Sequence, residues 1–399
     1  MLMGQYYEGM ELHRGDKILI VRFTSPHRTI STCRAEGGLT DDYDGMFNQQ
    51  GCEPTNHMHG VQKTAVTDPA EYRRIACKQH GLGSEKWATL GTAANMNCAA
   101  VAVESFRDLM VVTACTGGVE TNAGRVGDPA SFWETETGSE KLEAPQPPPH
   151  GTINTMICIN KELTKGAMVR AVMTATEAKT AVLQELAVNS RYSDGLATGT
   201  GTDQIAIASK LNTGKPMTGA GKHSKLGELI GLAVKKAIKQ TLLRQNGMNP
   251  ERQCSCRIHL QRFGVTKESM LRGMAACLNQ QEQQLLEDNF SCIDKDPVTA
   301  GAIMALVHIR DKYAWGLLPE TCLPELMGGQ AALAACSISG DFSRFTQYRE
   351  ELSPSSQKMS SAEFLDLALK ALGLGFRDKW TMKSQNTDNK ERGGEKKSN

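Results

Sequence analysis

Five segments rich in Gly, Thr and Asn hold the residues of this sequence that are best suited to chemistry. They are residues 116–127, 151–154, 174–179, 197–203 and 218–224. Glycine lets a ligand approach the backbone closely, while Thr, Asn and backbone N–H groups supply neutral hydrogen bonds. Each segment alone is typical of an ordinary turn. As a set within one region, they predict a polar site for a ligand that carries many amide groups.

Three ionisable residues in or beside these segments are candidate catalytic groups. Asp203 follows a Gly/Thr loop and opens a predicted strand, where it is suited to orient a water molecule or act as a base. His223 precedes a predicted helix, and the positive end of the helix dipole favours a neutral imidazole there. Glu177 lies opposite the apolar stripe of its helix, so its spacing alone indicates a solvated side chain. A turn carboxylate and an exposed loop histidine are equally good interpretations of Asp203 and His223.

Two polar residues of the first segment are candidate ligand anchors. Asn122 presents both a donor and an acceptor, which suits an amide group. Arg125 presents a planar fork of donors, which suits an amide or a carboxylate. Neither residue specifies a reaction by itself.

Two motifs resemble known sites but lack essential residues. The stretch 216–223 is similar to a phosphate-binding loop, yet Pro216 replaces its first glycine and His223 replaces its final Ser or Thr. Cys254 and Cys256 are separated by one residue, whereas zinc sites usually have two to four residues between cysteines. Neither a Gly-x-Ser-x-Gly elbow nor a His-Glu-x-x-His helix occurs in the sequence. A nucleotide-binding loop and a zinc site are therefore disfavoured.

Hydrophobic patterning predicts the elements that must position these segments. Two helices have clear apolar stripes, one from about Thr164 to Ala187 and one from Ser224 to about Gln245. Another helix begins at Asp68-Pro69, an N-cap followed by proline. Predicted strands cover 17–23, 98–105, 109–115, 152–159 and 204–209, with 28–33 as a hairpin partner of the first.

The order of elements predicts a mixed α/β (α+β) architecture, with a partly antiparallel sheet packed against helices and a mainly helical C-terminal region. The turn cluster at 245–250 marks a plausible domain boundary. We therefore predict a catalytic domain over 1–245, a helical region of unknown role over 246–383 and a disordered polar tail over 384–399. The proline-rich loop at 137–150 is predicted to be a surface connection.

Composition and charge exclude several classes of function. The 399 residues include 45 basic and 44 acidic side chains, so there is no overall charge to attract nucleic acid or an anionic membrane. Neither a secretory signal nor an apolar run of bilayer length is evident. The 12 cysteines are scattered, mostly in apolar runs, and are predicted to be reduced thiols. We expect a cytoplasmic protein with a small, largely neutral partner.

The five segments, in this order, resemble the adenosylcobinamide amidohydrolase (CbiZ) family over about residues 15–243. The run 121–128 is similar to the family's Asn-Ala-x-x-x-Gly segment, and 197–203 is the most distinctive match. Residues 151–154 correspond to its central strand, 176–179 to its central helix and 219–228 to its last motif. The resemblance implies hydrolysis of adenosylcobinamide to adenosylcobyric acid and aminopropanol. It implies no cofactor of the enzyme, because the cobalt belongs to the corrinoid substrate.

This resemblance leads to a mechanistic hypothesis that leaves the base undecided. Water attacks the secondary amide, with Asp203 or His223 as general base. Asn122, Asn154 and Gly/Thr backbone amides stabilise the oxyanion, while Arg125 and Thr200 position corrin amides. A covalent route through Thr200 or Thr202 is the second possibility. The alternatives are a corrinoid-binding protein without catalytic activity and a nucleotide-dependent enzyme.

Overall fold

The computed structural model describes residues 1–51, 64–65, 67–136, 138–143 and 151–394, and the side chains among them up to residue 380. The chain divides into two compact units, Met1–Met248 and Asn249–Asn399. Part of the segment predicted as a loop at 137–150 is instead a short strand, Gly138–Lys141, which pairs with Phe132–Thr135, while residues 137 and 144–150 lie outside the described residues.

The first unit contains two β-sheets. The five-stranded sheet has the order β1-β2-β3-β6-β7, and the six-stranded sheet has the order β5-β4-β15-β13-β9-β8. Only two strand pairs of these sheets, β6–β7 and β13–β15, are parallel. The strands are β1 (Leu2–Tyr7), β2 (Met10–Gly15), β3 (Ile18–Phe23), β4 (His27–Ser31), β5 (Gly38–Thr40), β6 (Gly45–Gln50), β7 (Trp87–Thr92), β8 (Ala100–Phe106), β9 (Leu109–Gly117), β10 (Ala123–Gly124), β11 (Phe132–Thr135), β12 (Gly138–Lys141), β13 (Ile153–Ile159), β14 (Gly199–Thr200) and β15 (Gln204–Lys210).

Among the described residues, three helices cover the outer faces of these sheets, and they begin where the sequence predicts. Helix α1 (Pro69–Gln79) begins after Asp68, whose side chain accepts a hydrogen bond from the Glu71 N–H. Helix α2 (Lys165–Glu185) is capped by Thr164, and α3 (Lys225–Asn246) by Ser224. Gly247 ends α3 with a positive φ of 59°, a conformation that costs glycine little.

Three apolar clusters show that the first unit has four layers. Side chains such as Ile18 and Trp87 pack against α1 on the outer face of the five-stranded sheet. Leu12 and Met156 belong to the cluster between the two sheets. Ile157 belongs to the cluster between the six-stranded sheet and helices α2 and α3. Neighbouring residues of β13 thus alternate between two cores, as the two-residue period of a strand requires.

The mixed α+β class is confirmed, and one predicted pairing is wrong. The predicted antiparallel pair near 98–115 is present as β8 and β9. The segment 28–33, however, is not a hairpin partner of the first strand. Strand β4 pairs with β15 and β5, whereas β3 pairs with β2 and β6. The chain therefore crosses from one sheet to the other at residues 24–26, a step that local sequence patterns do not specify.

The second unit is helical in the part that the structure describes. Its core includes Leu306, Ala335 and Phe376, and Gly375 lies so close to Ala335 that a Cβ atom would stand 2.4 Å from the Ala335 carbonyl oxygen. The helices are α4 (Pro250–Gln253), α5 (Cys256–Leu260), α6 (Lys267–Ala275), α7 (Gln280–Asp294), α8 (Pro297–Ala314), α9 (Leu323–Ser339), α10 (Phe345–Leu352) and α11 (Ser361–Gly394).

The last helix overlaps the tail that was predicted to be disordered from residue 384. Helix α11 extends to Gly394, and residues 395–399 lie outside the described residues. Among the described residues, no helix is both long enough and apolar enough to cross a membrane.

Candidate functional site

Two of the Gly/Thr segments pair directly beside the six-stranded sheet. Strand β10 runs antiparallel to β14, with Ala123 opposite Thr200 and Gly124 opposite Gly199. The chain then enters β15, whose first residues lie next to the start of the parallel strand β13. Segments 121–128, 151–154 and 197–203 therefore meet at the end of the sheet where the inner strands β13 and β15 begin. We call this place the strand-edge site.

Asp203 is the centre of the strand-edge site. Its Oδ1 atom accepts hydrogen bonds from the Ile153 N–H at 2.8 Å and the Thr200 hydroxyl at 2.6 Å. Its Oδ2 atom accepts from the Thr200 N–H at 3.0 Å and from the Lys179 ammonium. A carboxylate has about four lone-pair positions, so these donors fill them all. A water molecule can reach Asp203 only by replacing one of them.

Lys179 places a positive charge from helix α2 inside this network. Its side chain is 17% exposed and that of Asp203 is 13% exposed, so water screens the ion pair only weakly. Gly199 makes room for the pair, because a Cβ atom there would lie 2.6 Å from Asp203 Oδ2 and 2.9 Å from Lys179 Nζ. Residue 199 is therefore required to be glycine, because the ion pair lies too close to its backbone for a side chain to fit.

Asn122 joins the segments around Asp203. Its Nδ2 group donates to the Gly151 carbonyl oxygen at 2.9 Å and to the Thr202 hydroxyl at 3.4 Å. Its Oδ1 atom accepts the Tyr192 hydroxyl at 2.7 Å. Burial, and then the nearby Asp128, raise the pKa of Tyr192 and keep this hydroxyl protonated. Asn122 therefore uses both of its amide hydrogens within the protein.

Arg125 lies at the rim of the same edge. Its Nη1 group donates to the Leu196 carbonyl oxygen at 3.1 Å, and its backbone N–H donates to Asp128 Oδ2 at 2.7 Å. Asp128 also accepts the Ser190 hydroxyl at 2.6 Å. The arginine is held over residues 190–196 while part of its side chain stays accessible to solvent.

The substrate contact predicted for Asn154 does not fit the structure. The residue is fully buried between the two sheets. Its Nδ2 group donates to Asn48 Oδ1 at 3.0 Å and to the Gly91 carbonyl oxygen at 2.7 Å. Its alternation along β13 directs it toward the five-stranded sheet, so Asn154 links the sheets and has no donor left for an oxyanion.

Cys115 lies behind the strand-edge site without taking part in its chemistry. It is completely buried, and its thiol is 3.7 Å from the Thr155 hydroxyl. Burial raises the pKa of the Cys115 thiol to about 12, with a further contribution from the charge of Asp203. The thiol is therefore neutral near pH 7 and unsuited to act as a nucleophile.

His223 and Glu177 lie elsewhere, in a shallow pocket that we call the helix-start pocket. It has a volume of about 230 Å³ and is lined by Arg170, Met173, Thr174, Glu177, Gly221, Lys222, His223 and Ser224. Lys222 pairs with Glu177 at 2.8 Å, and both side chains are more than half exposed.

Glu177 and Lys179 lie two residues apart on helix α2, which corresponds to a rotation of about 200°. Glu177 therefore pairs with Lys222 at the helix-start pocket, whereas Lys179 pairs with Asp203. The structure therefore brings together Asp203, Asn122, Arg125, Thr200 and Thr202, but not His223 or Glu177.

Neither incomplete motif has the geometry of the site that it resembles in the part of the chain that the structure describes. The phosphate-loop-like stretch does not follow its strand directly, and the Ala220 carbonyl oxygen accepts the Thr174 hydroxyl at 2.7 Å. Cys256 is buried, and His259 Nε2 lies 2.9 Å from the Gln253 carbonyl oxygen. Within the described ranges, no group of three His, Cys, Asp or Glu residues is placed to hold a metal ion.

Two important residues were missed by the sequence analysis. Lys179 was noted only as part of a motif, although it follows Ala171 and Ala175 at four-residue spacing on the apolar face of α2. A lysine on an apolar helix face is a usable signal, because a buried charge needs a partner. Tyr192 had no such signal, since its partner Asn122 is 70 residues away in the sequence.

Comparison with known proteins covers the first unit. The family model described as adenosylcobinamide amidohydrolase matches residues 3–250, which confirms the resemblance found from the motifs over about 15–243. An uncharacterised protein of Methanocaldococcus jannaschii is 35% identical over 236 residues, which are 58% of this chain and 87% of that protein. A solved structure of a Pyrococcus horikoshii protein covers 60% of this chain and 80% of its own, with 12% identity and a TM-score of 0.29. A similarity that low supports no inference about fold or function.

Proposed function

The chain belongs to the adenosylcobinamide amidohydrolase (CbiZ) family, and on this basis we propose that it hydrolyses the amide bond between aminopropanol and the corrin ring of adenosylcobinamide. The products are adenosylcobyric acid and aminopropanol, as expected in corrinoid salvage for cobalamin biosynthesis. The observation that carries the proposal is the network of Thr200, Asp203 and Lys179 at the strand-edge site, within the region that matches the family.

The hydrogen bond from Thr200 to Asp203 favours a covalent route. The Thr200 hydroxyl already donates to Asp203 Oδ1 at 2.6 Å, whereas a water molecule must first displace a donor of the carboxylate. In this route Thr200 Oγ attacks the amide carbonyl carbon and its proton passes to Asp203. The carbon–nitrogen bond then breaks, aminopropanol leaves with that proton, and the corrin acyl group is held as an ester of Thr200.

A water molecule completes the reaction in either route. In the covalent route it attacks the ester carbonyl, gives its proton to Asp203 and releases cobyric acid as Thr200 recovers its hydrogen. In the direct route water replaces Thr200 as the nucleophile, and Asp203 again takes the proton. Lys179 balances the carboxylate charge and holds its orientation in both cases.

Backbone amides of residues 201 and 202 are the proposed oxyanion donors. Both residues are exposed, and the Thr202 N–H makes only a long contact of 3.4 Å with Thr200 Oγ1. No hydrogen bond among the described residues uses the Gly201 N–H. Such donors are effective when they point to the position where negative charge develops. Asn122 then acts by fixing this loop through Thr202 and Gly151.

The substrate is a corrinoid whose peripheral side chains are amides. Arg125 and the Thr202 hydroxyl lie at the accessible rim, where we propose that they position those amides. The cobalt ion enters as part of the substrate. All cysteines among the described residues are free thiols, which suits a reducing compartment, and we propose the cytoplasm as the place of the reaction.

One experiment separates hydrolysis from the two alternative functions. Purified protein is incubated with adenosylcobinamide in water enriched in oxygen-18, without nucleotide, and the corrinoid is analysed by mass spectrometry. Hydrolysis predicts cobyric acid with one labelled oxygen in its new carboxylate. Bound but unchanged adenosylcobinamide would instead indicate a corrinoid-binding protein, and product formed only after ATP is added would indicate a nucleotide-dependent enzyme.

A second measurement separates the two routes. The reaction is stopped with acid within the first turnover, and the protein is digested and analysed by mass spectrometry. The covalent route predicts a peptide containing Thr200 with the mass of the corrin acyl group added. An unmodified peptide throughout the first turnover, together with product formation, would favour direct attack by water.

A further inference from the structure

An exposed β-hairpin lies in the chain between segments 121–128 and 151–154 of the strand-edge site. Strands β11 and β12 pair in antiparallel fashion, with Phe132 opposite Lys141 and Trp133 opposite Glu140. All eight positions of the two strands are exposed. Phe132 is 61% exposed and Trp133 is 64% exposed. Aromatic side chains, tryptophan above all, are enriched at binding surfaces relative to the rest of a protein surface.

The hairpin is held close to the strand-edge site at the start of its first strand. On one side, Asp128 is fixed by the Arg125 N–H and the Ser190 hydroxyl. Only residues 129 and 130 separate it from Ser131, whose carbonyl oxygen closes the hairpin base by accepting the Leu142 N–H at 3.0 Å. Three extended residues span at most about 10 Å. On the other side the chain returns at Gly151, which Asn122 binds at 2.9 Å.

The two faces of the hairpin differ in chemistry. Neighbouring residues of a strand point to opposite faces. One face combines Trp133 with the carboxylate of Glu140 and has no basic residue in either strand. The other face combines Phe132 with Lys141 and Glu134, whose charges cancel. Only the Trp133 face therefore joins an aromatic ring to an uncompensated negative charge.

These features fit a cationic, flat ligand. Trivalent cobalt, a monoanionic corrin ring and a carbanionic adenosyl ligand leave adenosylcobinamide with a single positive charge. An aromatic ring packs against a flat macrocycle, and both its π face and a nearby carboxylate attract a cation. We propose that the Trp133–Glu140 face of the hairpin forms an outer wall of the substrate site and selects the cationic corrinoid. This inference rests on the proposed function, because that function supplies the ligand.

The change in charge during hydrolysis favours release of the product. Hydrolysis creates a carboxylate on the corrinoid, which cancels its net positive charge. The Glu140 carboxylate then attracts the product less than the substrate. The hairpin thus favours binding of adenosylcobinamide over adenosylcobyric acid.

The test compares two aromatic residues of the same hairpin. Trp133→Ala and Phe132→Ala remove side chains of similar exposure from opposite faces, so each controls for the structural effect of the other. Dissociation constants for adenosylcobinamide are measured by equilibrium dialysis in an Asp203→Asn background, which should bind the substrate without consuming it, using the visible absorbance of the corrinoid. We expect Trp133→Ala to raise the dissociation constant about tenfold, and Phe132→Ala to change it less than about twofold. Glu140→Gln should lower the preference for substrate over product.

Each other outcome overturns the inference. Unchanged binding after Trp133→Ala, or no binding by the Asp203→Asn parent, would remove the hairpin from the site. Equal weakening by both substitutions, with a loss of self-association in analytical ultracentrifugation, would indicate that the hairpin contacts a second copy of the chain. Product formation by the wild-type protein in separate samples reports on the proposed function, because corrinoid that is bound but not hydrolysed there contradicts that function without altering the hairpin result.

Discussion

Two of the lysine–carboxylate pairs to which helix α2 contributes differ sharply in their surroundings. The side chains of Glu177 and Lys222 are 51% and 65% exposed, and this pair lies at a shallow pocket. Lys179 is two residues further along the helix, and its side chain and that of its partner Asp203 are only 17% and 13% exposed. Asp203 has three further hydrogen bonds. The same two chemical groups, an ammonium and a carboxylate, thus form a solvated surface pair at one position of the helix and a largely buried, hydrogen-bonded pair at the other.

This difference shows that local sequence does not identify the functional charge. Two residues along a helix correspond to a rotation of about 200°, which is enough to move a side chain from solvent to the sheet edge. An exposed ion pair contributes little because water screens it. A largely buried pair is held in one geometry and is costly to break. Substitutions at the two sites test this contrast.

Replacing Asp203 with Asn should have the largest effect. The amide keeps the shape of the side chain but cannot accept a proton, so turnover of adenosylcobinamide should fall about 100- to 10,000-fold. Corrinoid binding should be mostly retained. Steady-state release of aminopropanol measures turnover, and equilibrium dialysis measures binding. Near-normal turnover in Asp203→Asn would rule out this residue as the base.

The second prediction concerns stability at the two lysines. Lys179→Met leaves a largely buried carboxylate without its cation, so the free energy of unfolding should fall by about 3 kcal/mol. Lys222→Met is the matched control, and its effect should stay below about 1 kcal/mol. Urea denaturation followed by circular dichroism measures both. Equal losses for the two variants would remove the distinction between the pairs.

Gly199→Ala tests the close approach of the backbone to the ion pair. The added methyl group would lie 2.6 Å from Asp203 Oδ2, so Asp203 or Lys179 must shift. A displacement of this kind should lower turnover about tenfold. Gly231→Ala is the control, since a Cβ atom at Gly231 meets nothing within 4 Å. If Gly199→Ala matches this control in turnover, the geometry assigned to the pair is wrong.

The smallest effect is expected at the helix-start pocket. His223→Ala and Glu177→Gln should each change turnover less than about twofold, as expected for exposed positions away from the reacting groups. Both residues were candidate catalytic groups on sequence grounds, so this measurement distinguishes the two sites. A loss above about 100-fold in His223→Ala would return the general base to that histidine.

Local signals in the sequence predicted the helices better than the sheet pairings. The caps Asp68, Thr164 and Ser224 each begin a helix where expected, because a cap depends on residues three positions apart. Strand β4 was assigned to the wrong sheet, because β15, the partner that places it in the six-stranded sheet, lies more than 170 residues away. Hydrogen bonding between distant strands leaves no local pattern.

The candidate site was predicted in part for the same reason. Asp203 and Thr200 are three residues apart, and their contact is of a kind that turn chemistry anticipates. The burial of Asn154 depends on Asn48 and Gly91 in the other sheet, so its structural role could not be derived from its motif. Lys179 could have been recognised by its place on an apolar helix face.

One assay of three proteins determines whether the strand-edge site catalyses amide hydrolysis. Wild type, Asp203→Asn and His223→Ala are given excess adenosylcobinamide in nucleotide-free buffer, and aminopropanol release is quantified by mass spectrometry. We expect many turnovers for wild type and His223→Ala, and a loss of about 100-fold or more for Asp203→Asn. Absence of aminopropanol with the wild-type protein, or a loss confined to His223→Ala, would contradict the claim.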